Sequence, residues 1–439
     1  MLELLSSGLL SLWLEGAGMR PNPLDAFTLL AGPGIPGFAI ESQPETAAET
    51  TVRQYLQELA AFGLQQNAQG IWLQSGPVLL ASNQGNIPLP AASLTKIATS
   101  WASLKTWGPA HQFQTEFSAT GPIKDGVLEG DLVIVGGGDP MFVWEEAIAA
   151  GNALNQMGIK RVTGNLIIAG NFSMNFQSDP VRSGELLKLA LNSRTWPREA
   201  QLAHSSMPAA TPKPQVEIAG AVTLVKPAPD SIPNRQLLLR RKSLPLRDIL
   251  KEMNVHSNNE IAQMLADQVG GGPVVAKLAI AAAGIPPREI QLLNGSGLGQ
   301  ENRISPRAAC ALFVAIQRYL QPYGLTIADL FPISGRDVGT LEDRHMPKAS
   351  VVKTGTLSDV SALAGVLPTR DRGPVWFAII NRGENIEGLR AQQDIFLERL
   401  QKQWGSPPAP IPAIASGSSP NSDSTRLGAA NRNEILFGG

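Results

Sequence analysis

Apolar positions along the chain change their period several times, and each change predicts an element. From about 48 to 63 they recur at helical spacing and mark a first helix. Two short apolar runs, 70–74 and 77–81, are joined by Ser75-Gly76, which is hairpin chemistry. After Pro90 a helix is predicted from about 93 to 106. Between 113 and 172 the pattern turns strand-like, with strands at 113–119, 126–135 and 164–169 and a helix near 143–157 between the last two. The stretch 200–235 is rich in Pro and Ala and reads as an irregular excursion. Helical spacing returns at 245–253, 259–269, 273–283 and 305–320. Three strands follow, at 350–353, 361–367 and 375–381, the last two split by the charged turn 369–373, and then a helix at about 386–403.

Helices gathered against a late antiparallel sheet make an α+β core interrupted by a β-rich insertion. The expected organisation is an N-terminal segment and linker over 1–47, a split unit formed by 48–112 and 243–404, and an inserted region at 113–242. A tail over 405–439, rich in Pro, Ser, Gly and Asn, is expected to be disordered because it lacks the apolar residues that would offset its ordering entropy.

Composition narrows the function classes. With 439 residues, 43% hydrophobic and 17% charged, the chain has material for a large core. A net charge of -1 supplies no long-range field for nucleic acid, and no basic block interrupts that balance. The single cysteine, Cys310, lies in an apolar helix-like run and reads as a small core residue, and it rules out an internal disulfide. The four histidines, His111, His204, His256 and His345, are scattered without metal-ligand spacing. Gly32-Pro33-Gly34-Ile35-Pro36-Gly37 fits a dinucleotide pattern only formally, since it carries two prolines and no following helix pattern. There is no Gly-x-Ser-x-Gly elbow. Neither a cofactor nor a metal is called for. The apolar run Leu9 to Leu14 is a poor leader, being short and flanked by Glu3 and Glu15, and no stretch is long and apolar enough to span a bilayer.

Three motifs carry chemistry. Ser93-Leu94-Thr95-Lys96 stands at a helix start, where positions three apart share a face and Lys96 can take the Ser93 proton. The same spacing in Ser350-Val351-Val352-Lys353 falls in a strand, where side chains three apart point to opposite faces. Ser257-Asn258-Asn259 lies in a polar patch between two helices, suited to a proton shuttle at Ser257 and a hydrogen-bonding amide at Asn259, although Ser257 alone reads as a helix cap. Ser173-Met174-Asn175 and Ser419-Pro420-Asn421 match that pattern too, so it is not specific by itself. Lys353-Thr354-Gly355-Thr356 ends the first late strand: Lys353 and Thr354 suit a carboxylate ligand, Gly355 permits close approach, and the Thr356 N–H can pair with that of Ser93 as an oxyanion hole. In this order the trio is that of β-lactamases and penicillin-binding proteins.

At this point the chain resembles the class C low-molecular-mass penicillin-binding proteins, the D-alanyl-D-alanine carboxypeptidases and endopeptidases. Pro90-Ala91-Ala92-Ser93-Leu94-Thr95-Lys96 is similar to that family's entry to the nucleophile. Gly130-Asp131-Leu132 with Gly136-Gly137-Gly138-Asp139-Pro140, and Asn294-Gly295-Ser296-Gly297-Leu298 with Asn302 and Ser305-Pro306, resemble two further family segments, and the likeness covers roughly 65 to 400. The resemblance implies a transpeptidase-like fold and a periplasmic or cell-envelope location. It implies peptidoglycan peptides as substrate and β-lactams as inhibitors. Ser93 would be the acylated nucleophile and Lys96 its base, Ser257 and Asn259 would assist, and Lys353 and Thr354 would bind the terminal carboxylate. Two departures stand out. The stretch between Lys96 and Ser257 is shorter than in fuller members, and Gly164-Asn165-Leu166 with Gly170-Asn171 lacks an acidic residue that some relatives use to hold a diaminopimelate amine. A serine β-lactamase is the nearest rival, but no Glu-x-x-Leu-Asn segment supplies the glutamate of the class A type. The rival of another class is a non-catalytic scaffold of the same fold.

Overall fold

The computed structural model describes residues 45–225, 235–417 and 425–437. The N-terminal segment and linker fall outside the described residues as far as 44. So do the Gly32 to Gly37 pattern, the Leu9 to Leu14 run and Ser419-Pro420-Asn421.

The central sheet is antiparallel, in the order β15 (Val351–Leu357), β16 (Val360–Pro368), β17 (Pro374–Arg382), β1 (Gly70–Ser75), β2 (Val78–Asn83). Its strands alternate between two apolar faces. In β17, Val375, Phe377 and Ile379 face one cluster, while Trp376, Ala378 and Ile380 face the other. A sheet covered on both sides reads as continuous apolar runs, which is why these strands show in the sequence. On the first face lie α1 (Thr46–Ala61) and α10 (Ile386–Trp404), through Val52, Tyr55, Leu59, Phe396 and Leu400. On the second lie α2 (Thr95–Trp107), α6 (Leu246–Val255), α7 (Asn259–Val269), α8 (Gly272–Ala283) and α9 (Pro306–Leu320). There Ala362, Ala364 and Ala378 leave room for helices to approach the sheet. Cys310 is buried in this core, where desolvation pushes its thiol pKa up. A short sheet of β13 (Ile290–Gln291), β14 (Arg303–Ile304) and β3 (Leu89–Pro90) ties the segment before Ser93 to the loop ahead of α9.

The insertion has its own core. A six-stranded sheet runs β11 (Val222–Leu224), β9 (Leu166–Asn171), β7 (Leu132–Gly137), β4 (Gln114–Ala119), β12 (Gln236–Lys242), β18 (Asn433–Ile435). Beside it lies a smaller sheet of β10 (Glu217–Ile218), β8 (Arg161–Val162), β6 (Val127–Leu128) and β5 (Ile123–Lys124). The insertion is rich in strands and also carries α3 (Trp144–Gln156), α4 (Pro180–Ala190) and α5 (Arg198–Ser206). Helix α5 stands within the stretch expected to be irregular.

The tail departs from the sequence reading most. Residues 425–437 were expected to be disordered, yet β18 pairs antiparallel with β12, and Arg432 is buried. The reason is electrostatic. Glu146 on α3 is fully enclosed and accepts from the Arg241 Nε at 2.7 Å, from the Arg432 Nη1 and Nη2 at 2.8 and 2.5 Å, and from the Gly428 N–H at 2.9 Å. A buried carboxylate needs such partners, and the tail supplies two of them. A composition argument sees only the missing apolar residues.

Candidate active site

Ser93 sits in the single 3-10 turn Ala92–Leu94 that leads into α2. Ala92 adopts φ +47°, a left-handed conformation that costs an L-residue of order 1 kcal/mol, and this sharp bend lifts Ser93 out of the helix into a cavity. Gly297, at φ +85°, passes so close that a Cβ there would lie 1.9 Å from the Ala92 carbonyl oxygen. On the other side Gly355 lies against the same turn, where a Cβ would fall 3.0 Å from the Ala91 carbonyl oxygen and 3.1 Å from the Ser93 nitrogen. Bare backbone on both flanks lets loop and strand close on the serine.

Lys96 is fully buried and makes three contacts from Nζ: to Ser93 Oγ at 2.8 Å, Asn259 Oδ1 at 2.7 Å and the Ser296 carbonyl at 2.9 Å. Two of these partners are carbonyl oxygens, which can only accept. A neutral amine has two hydrogens and one lone pair, so the hydrogens go to Asn259 and Ser296 and the lone pair faces the Ser93 hydroxyl. Burial lowers the Lys96 pKa to about 7, against a smaller opposing effect of the Glu260 charge. The neutral form is therefore well populated near neutral pH.

Asn259 opens α7, and the cap is Asn258, whose Oδ1 accepts from the Ile261 N–H at 2.8 Å. Ser257 is thereby spared the capping role that its sequence position suggested. It adopts φ +52° and its Oγ accepts from the Lys353 Nζ at 3.0 Å. Lys353 is fully buried, and burial first and the Lys96 charge second push its pKa well down. Its Nζ, expected to serve the terminal carboxylate of a substrate, meets the Oγ of Ser257, which itself lines the cavity. Ser350 instead bonds the Pro347 carbonyl at 2.8 Å, so the second Ser-x-x-Lys spacing makes no pair with Lys353.

The cavity, about 370 Å³, is lined by Ser93, Ser257, Asn259, Thr354, Gly355 and Thr356, with Arg390 of α10 and the loop 339–344 closing it. The structure thus brings the three motifs to one place. The sequence reading did not single out the Ser296 carbonyl as a partner of Lys96, or Arg390, whose Nη2 donates to Thr356 Oγ1 at 3.0 Å. The loop that carries Ser296 is held by Asn302, whose buried Oδ1 accepts from the N–H groups of Leu293 and Asn294 at 2.9 and 3.1 Å.

The D-Ala-D-Ala carboxypeptidase 3 (S13) family matches the chain over residues 52–178 and 189–402, a span that holds all three motifs. The chain belongs to that family. It is accordingly a serine hydrolase. A D-alanyl-D-alanine carboxypeptidase of Actinomadura sp. (strain R39) is 29% identical over 275 residues, a match that covers 58% of this chain and 48% of that relative. The D-alanyl-D-alanine carboxypeptidase DacB of Haemophilus influenzae is 23% identical over 393 residues, covering 67% of this chain and 80% of the relative. Among solved structures, a predatory endopeptidase from Bdellovibrio bacteriovorus in complex with an immunity protein superposes with a TM-score of 0.67 at 19% identity, covering 80% of this chain and 97% of that one. The same endopeptidase was solved acylated by penicillin G. Penicillin-binding protein 4 of Haemophilus influenzae gives a TM-score of 0.60 at 19% identity, over 79% of this chain and 98% of the other. The architecture shared with these structures is the α+β fold of the penicillin-binding proteins.

Proposed function

We propose that the protein is a D-alanyl-D-alanine carboxypeptidase, active also as an endopeptidase on cross-linked peptides, that cleaves peptidoglycan peptides in the cell envelope through an acyl-enzyme on Ser93. β-Lactams would acylate the same serine. The arrangement of Lys96 is the observation that carries this reading, because its two hydrogens have acceptors and its lone pair meets the Ser93 hydroxyl.

In the first step Lys96 takes the Ser93 proton as Oγ attacks the carbonyl carbon of the penultimate D-alanine. The negative charge that develops on the carbonyl oxygen is received by the N–H groups of Ser93 and Thr356, which are fixed in advance and need no reorganisation. Collapse breaks the C–N bond, and the departing amine takes a proton. Lys96, which carries the Ser93 proton and lies 2.8 Å from Ser93 Oγ, returns it to that amine and is neutral again, while Ser257, whose Oγ accepts from Lys353, keeps its own hydrogen free to assist the transfer. Asn259 holds Lys96 and can donate its amide hydrogens to the substrate backbone. Thr354 and Thr356 offer hydroxyls to the terminal carboxylate. Water then hydrolyses the ester with Lys96 again as base.

Incubation with a pentapeptide ending in D-Ala-D-Ala should release D-alanine, and Ser93→Ala should reduce the release to background. An unchanged rate in that variant would remove Ser93 from the mechanism. A cross-linked muropeptide dimer offered in parallel reads the endopeptidase activity.

A further inference from the structure

Hydroxyls inside a helix commonly fold back on the carbonyl four residues earlier, and two on α2 do so: Ser103 Oγ donates to the Thr99 carbonyl at 2.9 Å and Thr106 Oγ1 to the Ala102 carbonyl at 2.8 Å. Thr99 does not. It is fully buried, and its Oγ1 reaches across to the Gly295 carbonyl at 2.7 Å, in the loop that carries Ser296. Thr99 stands three positions after Lys96, so the two side chains share a helix face. They meet consecutive residues of that loop, Thr99 the Gly295 carbonyl and Lys96 the Ser296 carbonyl at 2.9 Å.

The loop is pinned from its other side by α7. Gln263, one turn beyond Asn259, accepts from the Gly295 N–H through Oε1 at 3.1 Å. A Cβ on Gly295 would lie 2.3 Å from the Ala266 Cβ, so bare backbone rests directly on α7. Gly295 is thus held by its N–H and by its carbonyl, one from each of the two helices that supply Lys96 and Asn259. The peptide unit that follows is fixed in turn: the Gly297 N–H donates to Asn294 Oδ1 at 2.8 Å, and the Ser296 carbonyl faces Lys96. The position of that acceptor therefore follows from how Gly295 is anchored. A buried carbonyl is costly to leave without a donor, and Thr99 is the donor that satisfies this one.

We infer that Thr99, acting through the Gly295 carbonyl, is a positioning residue for the acyl transfer: it holds the Ser296 carbonyl against Lys96 and so keeps the lysine lone pair aimed at Ser93. The inference rests on the acyl-enzyme reading above. It adds to the three motifs a hydroxyl that acts on the base rather than on the substrate.

The test is the pH profile of acylation by penicillin G in wild type, Thr99→Val and Thr99→Ser, followed by intact mass and scaled to the adduct finally formed so that only competent enzyme is counted. Valine keeps the branched shape and removes the hydrogen bond. The rate above the midpoint should fall about tenfold in Thr99→Val, as for one buried hydrogen bond, and should be largely restored in Thr99→Ser. A carbonyl acceptor favours the ammonium over the amine, so releasing the Ser296 carbonyl should also move the midpoint to lower pH. Glu260 of α7 and Lys353 of β15, the charges coupled to Lys96 from neighbouring elements, are untouched by the substitution. A profile whose midpoint stays or rises, whatever its height, would make Thr99 a packing residue and overturn the inference while leaving the acyl-enzyme intact. Should Thr99→Val not fold, Gln263→Leu frees Gly295 from α7 instead and carries the same two expectations. A wild type that forms no adduct would sink the acyl-enzyme reading itself, and the inference with it.

Discussion

A lysine buried against a hydroxyl and two carbonyl oxygens, with only a smaller opposing pull from the Glu260 charge, is the feature on which the chemistry turns. In Lys96 the cost of desolvating an ammonium brings the pKa to about 7, and the Asn259 and Ser296 oxygens keep the neutral amine correctly oriented. The sign of the pH effect follows. Below about pH 7 Lys96 is an ammonium with no lone pair to offer, and above it the amine is free to accept. Acylation by a β-lactam should therefore rise with pH through a midpoint of about 7, as a stopped-flow pH profile would read. Lys96→Arg keeps a cation of similar reach that does not deprotonate in this range, and should lose acylation across the whole profile. A flat profile in wild type would remove Lys96 as the base.

At the scale of elements, legibility followed periodicity and failed where polar residues build structure. Strands β16 and β17 were readable because both of their faces are apolar and the turn between them is charged. β15 was read as ending at Lys353, whereas it continues to Leu357, since Thr354, Gly355 and Thr356 look like a turn and are in fact the strand edge facing the cavity. Helix α4 escaped notice although its start was written plainly: Asp179 caps it, accepting from the Arg182 N–H at 2.7 Å, and Pro180 takes the first position. The nucleophile turn shows the same limit. Ser-x-x-Lys spacing announced the pair, but the left-handed Ala92 and the approach of Gly297 depend on a loop two hundred residues away in sequence. Arg390 could not be found by motif, because on its own helix it reads as one more exposed charge paired to Glu387.

For the whole molecule, the insertion and the C-terminal segment are one electrostatic unit. Glu146, Arg241 and Arg432 are almost wholly excluded from solvent, their side chains being 1%, 1% and 3% exposed. Removing one member of such a group leaves charge buried without its partner, which costs about 3 kcal/mol or more. Arg432→Ala, or deletion of 425–437, should lower the thermal midpoint by several degrees. The acylation rate at low temperature should be retained, because the cluster belongs to the insertion and not to the Ser93 cavity. A midpoint unchanged by either variant would mean that the segment's packing contributes nothing to stability. Among the described residues no helix is long and apolar enough to cross a membrane.

The central claim is that Ser93, served by Lys96, forms a covalent acyl-enzyme. The most direct test is intact-mass analysis after exposure to penicillin G, with the modified peptide located by tandem fragmentation. The account predicts a mass increase of one penicillin per chain, located on Ser93 and absent from Ser93→Ala. An adduct of the same size and rate in Ser93→Ala, or one located on another residue of the wild type, would contradict it.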